Sequence, residues 1–284
     1  MVDSVAEIRG GVMRRRPALF AFSLLLVPAA ISAPALHAQG SPSEQAQVAP
    51  PARQGSRALA SESAEQLEQT ADLLRAKKSY LDAVDYYYAA IAKSPNASRL
   101  YNKAGIVELE MQRYREAAKN FTHATRADRK SADAYNNLGV VDYLQKKNGK
   151  ALKQYKKAIQ LNGGSASFYS NLAAAYFSRK EFEAASVAYA KAMQLDPDIF
   201  EHTSVNGVAG RISSPQDRAH YDYVVASLYA KMGNITRSLE YLRRAMEEGY
   251  KGVQEVYKDP EFAALRSDAR FTALMASRPA AIPE

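Results

Sequence analysis

The stretch "YNNLGVVDYLQKKNGKALKQYKKAI" (residues 135–159) returns in altered form 34 residues later as "YSNLAAAYFSRKEFEAASVAYAKAM" (residues 169–193). Tyrosine, asparagine and leucine recur near the start of both stretches, and alanine, tyrosine and alanine recur at matching offsets near their ends. Apolar residues three and four positions apart predict two amphipathic helices in each stretch. Recurrence at a fixed spacing of this length indicates a structural repeat.

The same spacing divides the middle of the chain into four repeats, 64–97, 98–131, 132–165 and 166–199. In each repeat the first predicted helix has an apolar anchor followed four residues later by a small residue, and the second has an aromatic residue between two alanines. The anchors are Leu67, Tyr101, Tyr135 and Tyr169; the small residues are Ala71, Gly105, Gly139 and Ala173; the aromatic residues are Tyr87, Phe121, Tyr155 and Tyr189.

Each predicted hairpin is apolar on two sides, so it cannot bury its own apolar residues alone and must stack on its neighbours. The pattern resembles the tetratricopeptide repeat (TPR) family, whose 34-residue signature combines W-x2-L-G-x2-Y with A-x3-F, a further alanine and a proline. Glu108 and Asp142 depart from it, because the family has tyrosine at that offset. The resemblance implies an all-α, right-handed superhelical solenoid of helix-turn-helix repeats that binds other proteins.

The repeat loses its phase after residue 199 and recovers it later. Residues 200–218 are polar and rich in turn-forming residues, which predicts an insertion. Residues 219–252 are predicted to form a fifth hairpin of the same type. We expect residues 253–284 to form short capping helices and a tail, because the last hairpin of a solenoid needs a cover for its apolar surface.

Residues 14–38, "RRRPALFAFSLLLVPAAISAPALHA", have the order of a secretory signal: three arginines, an apolar run and then small residues. The predicted cleavage follows Ala35 or Ala38, so that residues 1–38 are removed. A retained membrane anchor is the alternative, although the apolar run is short for a bilayer and ends at Pro28. Met13 directly precedes the arginines, which makes it a candidate for the true start.

This signal predicts that the protein is exported and is periplasmic or secreted. Residues 39–62 are rich in serine, proline, glutamine and alanine without apolar periodicity, which predicts a flexible linker before the repeats. The composition of the 284-residue chain, 47% hydrophobic and 24% charged, is that of a folded protein rather than a disordered one.

The sequence predicts no catalytic residue, metal ligand or cofactor. Cysteine is absent, which excludes disulfides and thiolate chemistry. The four histidines, His37, His123, His202 and His220, do not have metal-ligand spacing, and no phosphate-binding or nucleophile motif occurs. Many of the 18 tyrosines occupy packing positions of the repeat, so they do not indicate stacking on nucleic acid. We therefore expect a protein partner and no nucleic acid.

The TPR resemblance implies a binding groove on the concave side, lined by the first helices. Transferred to this chain, it predicts a groove with polar side chains at one edge and an apolar strip, Leu109, Tyr143 and Phe177, along the other. Such a groove would hold an extended peptide. The polar candidates are Arg99, Asn102, Lys103, Asn136, Asn137, Ser170 and Asn171.

A second candidate surface is a basic face on the third repeat. Lys146, Lys150, Lys153 and Lys157 have the spacing of one helix face, and the chain has a net charge of +8. The sequence thus predicts a non-catalytic protein-interaction scaffold of the cell envelope that binds a peptide segment in its groove. The alternative is an adaptor that binds an anionic membrane or polymer through this basic face.

Overall fold

In the computed structural model, residues 61–203 and 215–277 are described, and they all lie in one compact unit, Ala52–Glu284. Every regular element within these residues is helical. The expectation of an all-α solenoid is confirmed. The predicted signal, its cleavage points, Met13 and nearly all of the linker lie outside the described residues.

Four hairpins follow one another with the predicted spacing, and each pairs two antiparallel helices. Their first helices are α1 (Ala64–Ala76), α3 (Ser98–Glu110), α5 (Ala132–Leu144) and α7 (Ala166–Phe177). Their second helices are α2 (Tyr80–Lys93), α4 (Tyr114–Ala127), α6 (Asn148–Leu161) and α8 (Phe182–Leu195). Each first helix packs on its own second helix, and each second helix up to α6 packs on the next first helix.

Local signals in the sequence explain where the helices begin and turn. Ser63 caps α1 through a capping box, in which its hydroxyl accepts from the Gln66 amide and the Gln66 side chain accepts from the Ser63 amide. The turn inside each hairpin needs one residue in the left-handed region. That residue is Lys78, Gln112, Lys146 and Lys180 in the four repeats, with φ of 61°, 59°, 60° and 63°.

The interior of each hairpin is filled by the recurring aromatic residue. Tyr87, Phe121 and Tyr155 are fully buried. A Cβ atom on Gly139 would lie 2.6 Å from Tyr155 Cε1, so the glycine leaves room for the ring of Tyr155 on the facing helix. The packing is therefore set by a small residue against an aromatic one, within the same repeat.

A fifth hairpin consists of α10 (Pro215–Lys231) and α11 (Ile235–Glu247). A short helix, α9 (Ile199–Thr203), precedes it in the segment predicted as a polar insertion. Its Phe200 is buried with ring centroids 5.4 Å from Tyr189 and 6.2 Å from Tyr229. Phe200 therefore fills the space between the fourth and fifth hairpins.

The C-terminal end is covered by three 3-10 turns and a last helix. The turns are Val253–Tyr257, Pro260–Phe262 and Leu265–Ser267, and α12 is Ala269–Ser277. Val256, Phe262, Leu265 and Phe271 from this segment join the core that the fifth hairpin shares with the third and fourth. Within the described ranges, no helix combines the length and the apolar character that crossing a bilayer requires.

Candidate functional site

Side chains of successive first helices meet along one continuous surface, which we call the first-helix face. Many of its contacts join residues 35 positions apart, one more than the repeat length. Lys103 Nζ lies 2.8 Å from Glu68 Oε1, and Ser178 Oγ donates to Tyr143 OH over 2.9 Å. The remaining pairs at this spacing are Arg75 with Glu110, Asn102 with Asn137, and Asn136 with Asn171.

Asparagine side chains form a hydrogen-bonded row across α3, α5 and α7. Asn137 Nδ2 donates to Asn102 Oδ1 over 3.1 Å, Asn136 Nδ2 donates to Asn137 Oδ1 over 3.2 Å, and Asn171 Nδ2 donates to Asn136 Oδ1 over 2.9 Å. Asn136 is buried, whereas the other three are half-buried. No described residue accepts from Asn102 Nδ2 or donates to Asn171 Oδ1, so both ends of the row have unused hydrogen-bonding capacity.

At the start of the row, two acidic residues of α1 hold the predicted basic residues of α3. Arg99 Nη2 lies 2.5 Å from Glu68 Oε2, and Lys103 Nζ lies 2.6 Å from Asp72 Oδ2. Burial favours a higher pKa for Asp72, but the hydrogen bonds from Lys103 and Tyr87 outweigh it and hold that pKa below its usual value. Arg99 and Lys103 are therefore partly neutralised. Glu68 and Asp72 are not among the residues predicted from the sequence; they precede Lys103 by 35 and 31 residues, and this spacing is the signal that could have identified them.

The predicted apolar strip is not an open surface. Phe177 is 1% exposed because α10 covers it: its ring centroid lies 5.4 Å from that of His220 and 6.2 Å from that of Tyr221. Tyr143 is 8% exposed. The expectation that these two rings anchor a partner is wrong, because the fifth hairpin uses Phe177 and the core uses Tyr143. Of the strip, Leu109 alone is half-buried rather than buried.

Ser170 is also buried among its neighbours, at 3% exposure, so it is not accessible to a partner. The accessible members of the predicted set are thus one apolar residue, Leu109, and the polar residues other than Asn136 and Ser170. They are Arg99, Asn102, Lys103, Leu109, Asn137 and Asn171.

The first-helix face is closed at its C-terminal end by the chain itself. Tyr223 of α10 is buried there, and its hydroxyl donates to Asp259. Its ring lies 4.5 Å from that of Tyr250 and 5.4 Å from that of Phe262. Burial and the hydrogen bond to Asp259 raise the pKa of the Tyr223 hydroxyl. The surface that remains open therefore runs from α1 to α7.

Sequence profiles described as tetratricopeptide repeat match residues 102–166 and 165–195 of this chain. The chain contains tetratricopeptide repeats. Both matches agree with the hairpin boundaries and confirm the resemblance for the second, third and fourth repeats. None of the curated proteins compared matches the chain.

Several solved structures are similar to the chain at low sequence identity. The crystal structure of MamA protein is 20% identical, with 69% of this chain and 95% of that chain covered and a TM-score of 0.47. YrrB, titled a TPR protein with an unusual peptide-binding site, is 21% identical, with 68% and 89% covered and a TM-score of 0.44. The pilF protein of Pseudomonas aeruginosa is 18% identical, with 76% and 82% covered and a TM-score of 0.48.

The basic face of the third TPR lies on its second helix and on the turn that precedes it, away from the first-helix face. Lys146, Lys150 and Lys153 are exposed, and Lys157 is half-buried with its Nζ donating to Gln160 Oε1 over 3.2 Å. Lys147 and Lys156 extend the same surface, and Lys156 Nζ lies 5.4 Å from the centroid of the Tyr176 ring. The predicted spacing along α6 is therefore realised as one exposed basic surface.

The described residues show little sign of a catalytic or metal-binding site. Across residues 61–203 and 215–277, no group of three histidine, aspartate or glutamate side chains has a geometry that could hold a metal ion. His123 stacks on Tyr101 with ring centroids 5.0 Å apart. His220 packs 4.1 Å from the Phe182 ring, and burial together with the charge of Lys180 lowers its pKa. Both rings serve in packing.

Proposed function

We propose that this TPR protein is a non-catalytic scaffold whose first-helix face is the concave groove that binds an extended segment of a partner protein. The observation that carries the proposal is the asparagine row of α3, α5 and α7. An extended peptide presents alternating main-chain N–H and C=O groups. The free Nδ2 donors of Asn102 and the free Oδ1 acceptor of Asn171 can bind both kinds of group without reading the side chains.

The row favours binding because its members are already oriented. Each asparagine amide is fixed by a hydrogen bond to its neighbour, so less side-chain freedom is lost when a peptide binds. The adjacent Arg99 and Lys103 are held by Glu68 and Asp72. They supply directional hydrogen bonds near one end of the groove rather than a strong net charge. The groove thus suits a largely neutral segment bound through its main chain.

Site-specific photo-crosslinking in intact cells tests this proposal. A photoreactive residue replaces Asn171 in the groove in one version of the chain and Gln154 of α6 outside it in the other. We expect a discrete crosslinked protein from position 171, absent from position 154. Adding Asn102→Ala to the position-171 version should weaken that crosslink. The same product from both positions, or no effect of Asn102→Ala, would contradict the groove.

We also propose that the protein acts in the cell envelope after export. The support is the arginine, apolar and small-residue order of residues 14–38. Mass spectrometry of the chain recovered from its cells should show a mature N-terminus at Leu36 or Gln39. Recovery of the intact N-terminus in the cytoplasmic fraction would exclude export.

A further inference from the structure

A long stretch of the chain that includes the basic face contains no acidic residue. Between Asp142 and Glu181 the sequence has six lysines, then Arg179 and Lys180, and neither aspartate nor glutamate. These eight positive charges equal the net charge of the whole chain, +8. The six lysines are Lys146, Lys147, Lys150, Lys153, Lys156 and Lys157.

Several basic residues of the described fold form ion pairs, whereas the six lysines of this stretch do not. Arg99, Lys103, Arg179, Lys180 and Arg237 each lie within 4 Å of a carboxylate. In the part of the chain that the structure describes, none of the six lysines does. Asp142 influences Lys147 and Lys150 only at longer range.

This arrangement destabilises α6 by itself. Lys150 and Lys153, and likewise Lys153 and Lys157, are three or four residues apart on α6, so their like charges repel along one helix face. The second helices of the other repeats mix both signs; α4, for example, carries Glu116 beside Arg115 and Lys119. An anionic partner would relieve this repulsion, which the longer-range attraction of Asp142 offsets only in part.

We propose that the α6 basic face docks the array on an anionic lipid membrane surface. Two features favour lipid headgroups over a protein. None of the large hydrophobic side chains found exposed in the described residues lies on α6, whereas protein interfaces depend on aromatic and aliphatic anchors and are depleted in lysine. Lysine also lacks the planar fork that arginine uses for fixed phosphate geometry.

The dimensions fit a surface contact. The helical lysines from Lys150 to Lys157 span about 10 Å of α6 at 1.5 Å per residue, and Lys146 and Lys147 lie in the turn that precedes it. Mobile anionic headgroups can gather beneath charges of any spacing, and each lysine near such a surface adds to the attraction. The second helices lie on the opposite side from the first-helix face, so the groove would stay free while the protein is bound to the membrane. The inference therefore does not depend on peptide binding.

Sedimentation with vesicles tests the proposal on the full chain. Vesicles of phosphatidylcholine with about a third phosphatidylglycerol are compared with pure phosphatidylcholine, because the difference isolates charge from any insertion of apolar segments. The double variant Lys150→Gln and Lys153→Gln should lower the affinity for the anionic vesicles about thirtyfold, after binding to the neutral vesicles is subtracted. Raising the salt concentration should weaken binding of the unmodified chain.

The matched control is Lys119→Gln with Lys191→Gln, which removes the same net charge from exposed positions of α4 and α8. We expect it to change vesicle binding less than about threefold, because these lysines lie outside the face. Equal losses in both double variants, or no preference for anionic vesicles, would overturn the proposal. Complete displacement from the vesicles by duplex DNA at equal phosphate concentration would also overturn it, in favour of a nucleic-acid surface.

Discussion

Arg244 Nε lies 3.5 Å from Oδ2 of Asp222, a fully buried carboxylate of the fifth hairpin. Among the described residues, Arg244 is the one cation within ion-pairing distance of Asp222. Asp222 occupies the offset at which the first four repeats carry Leu67, Tyr101, Tyr135 and Tyr169. Neither of its carboxylate oxygens has a hydrogen-bond partner among the described residues. Burial, opposed by Arg244 and reinforced by Glu248, raises the pKa of Asp222 to about 7.

We predict that the fifth hairpin loses stability as the pH rises from 4 to 7. The folded pKa of Asp222 lies above its unfolded value, so the unfolded chain releases this proton first as the pH increases. The free energy of unfolding should fall by about 1 kcal/mol per pH unit in that window and level off above it. Urea denaturation at pH 5 and pH 8 measures the slope. Asp222→Asn should flatten it, whereas the exposed control Asp133→Asn should not; equal slopes would contradict the assignment.

Removing two buried hydroxyl groups should stabilise the protein. Tyr155 and Tyr189 are fully buried, and their hydroxyls find no hydrogen-bond partner in the described residues. Phe121 fills the same offset in the second repeat, so a phenyl ring fits there. Tyr155→Phe and Tyr189→Phe should each raise the free energy of unfolding by about 1 kcal/mol.

Tyr87 provides the matched control, because its hydroxyl at the same offset donates to Asp72. Tyr87→Phe should lower the free energy of unfolding by about 1 kcal/mol. Thermal and urea denaturation of the three variants measure these changes in the free energy of unfolding. Loss of stability in all three would mean that the hydroxyls of Tyr155 and Tyr189 are satisfied in solution.

Glycine should be favoured at the turn inside each hairpin. Gln112 has φ of 59°, and the equivalent residue of the fifth hairpin is Gly233, with φ of 77°. A side chain in this region costs about 1–2 kcal/mol, while glycine adds freedom to the unfolded chain that offsets part of the gain. Gln112→Gly should stabilise by about 0.5–1 kcal/mol. Gly233→Ala should destabilise the protein by a similar amount in the same denaturation assay. A destabilising Gln112→Gly, or a stabilising Gly233→Ala, would contradict the backbone strain.

Substitutions along the predicted apolar strip should separate core residues from surface residues. Phe177→Ala should cost about 3–5 kcal/mol, because it leaves a cavity beneath α10. Leu109→Ala should cost less, since that side chain is only half-buried. Differential scanning calorimetry measures both. If Phe177→Ala leaves the melting temperature unchanged, α10 does not cover the ring as described.

Much of the fold could be predicted because the repeat encodes it locally. The spacing of Tyr135, Gly139 and Tyr155 identifies two helices, their contact and their neighbours, and the observed helices follow it closely. The asparagines of the first-helix face were also identified by offset. Periodicity therefore specifies which side of each helix faces which neighbour.

The fate of Phe177 could not be predicted, because it depends on a break in the periodicity. The segment after residue 199 appeared polar, and nothing in its pattern indicates that Phe200 is buried between two hairpins or that α10 covers Phe177. Likewise, the ion pair between Glu68 and Lys103 spans 35 residues rather than 34, which a search for identical offsets does not detect. To predict contacts between repeats, the shift of one residue between neighbouring first helices is needed as well as the 34-residue period.

The rings of Tyr223, Tyr250 and Phe262 close the first-helix face at its C-terminal end. Among the described residues, four first helices precede this closure, and three intervals of about 9 Å between helix axes give the face a length of roughly 27 Å. An extended chain covers that length with about eight residues. Under the proposed function, a bound segment longer than this could not continue past α10, so its excess would leave the face at the α1 end or fold back as a loop.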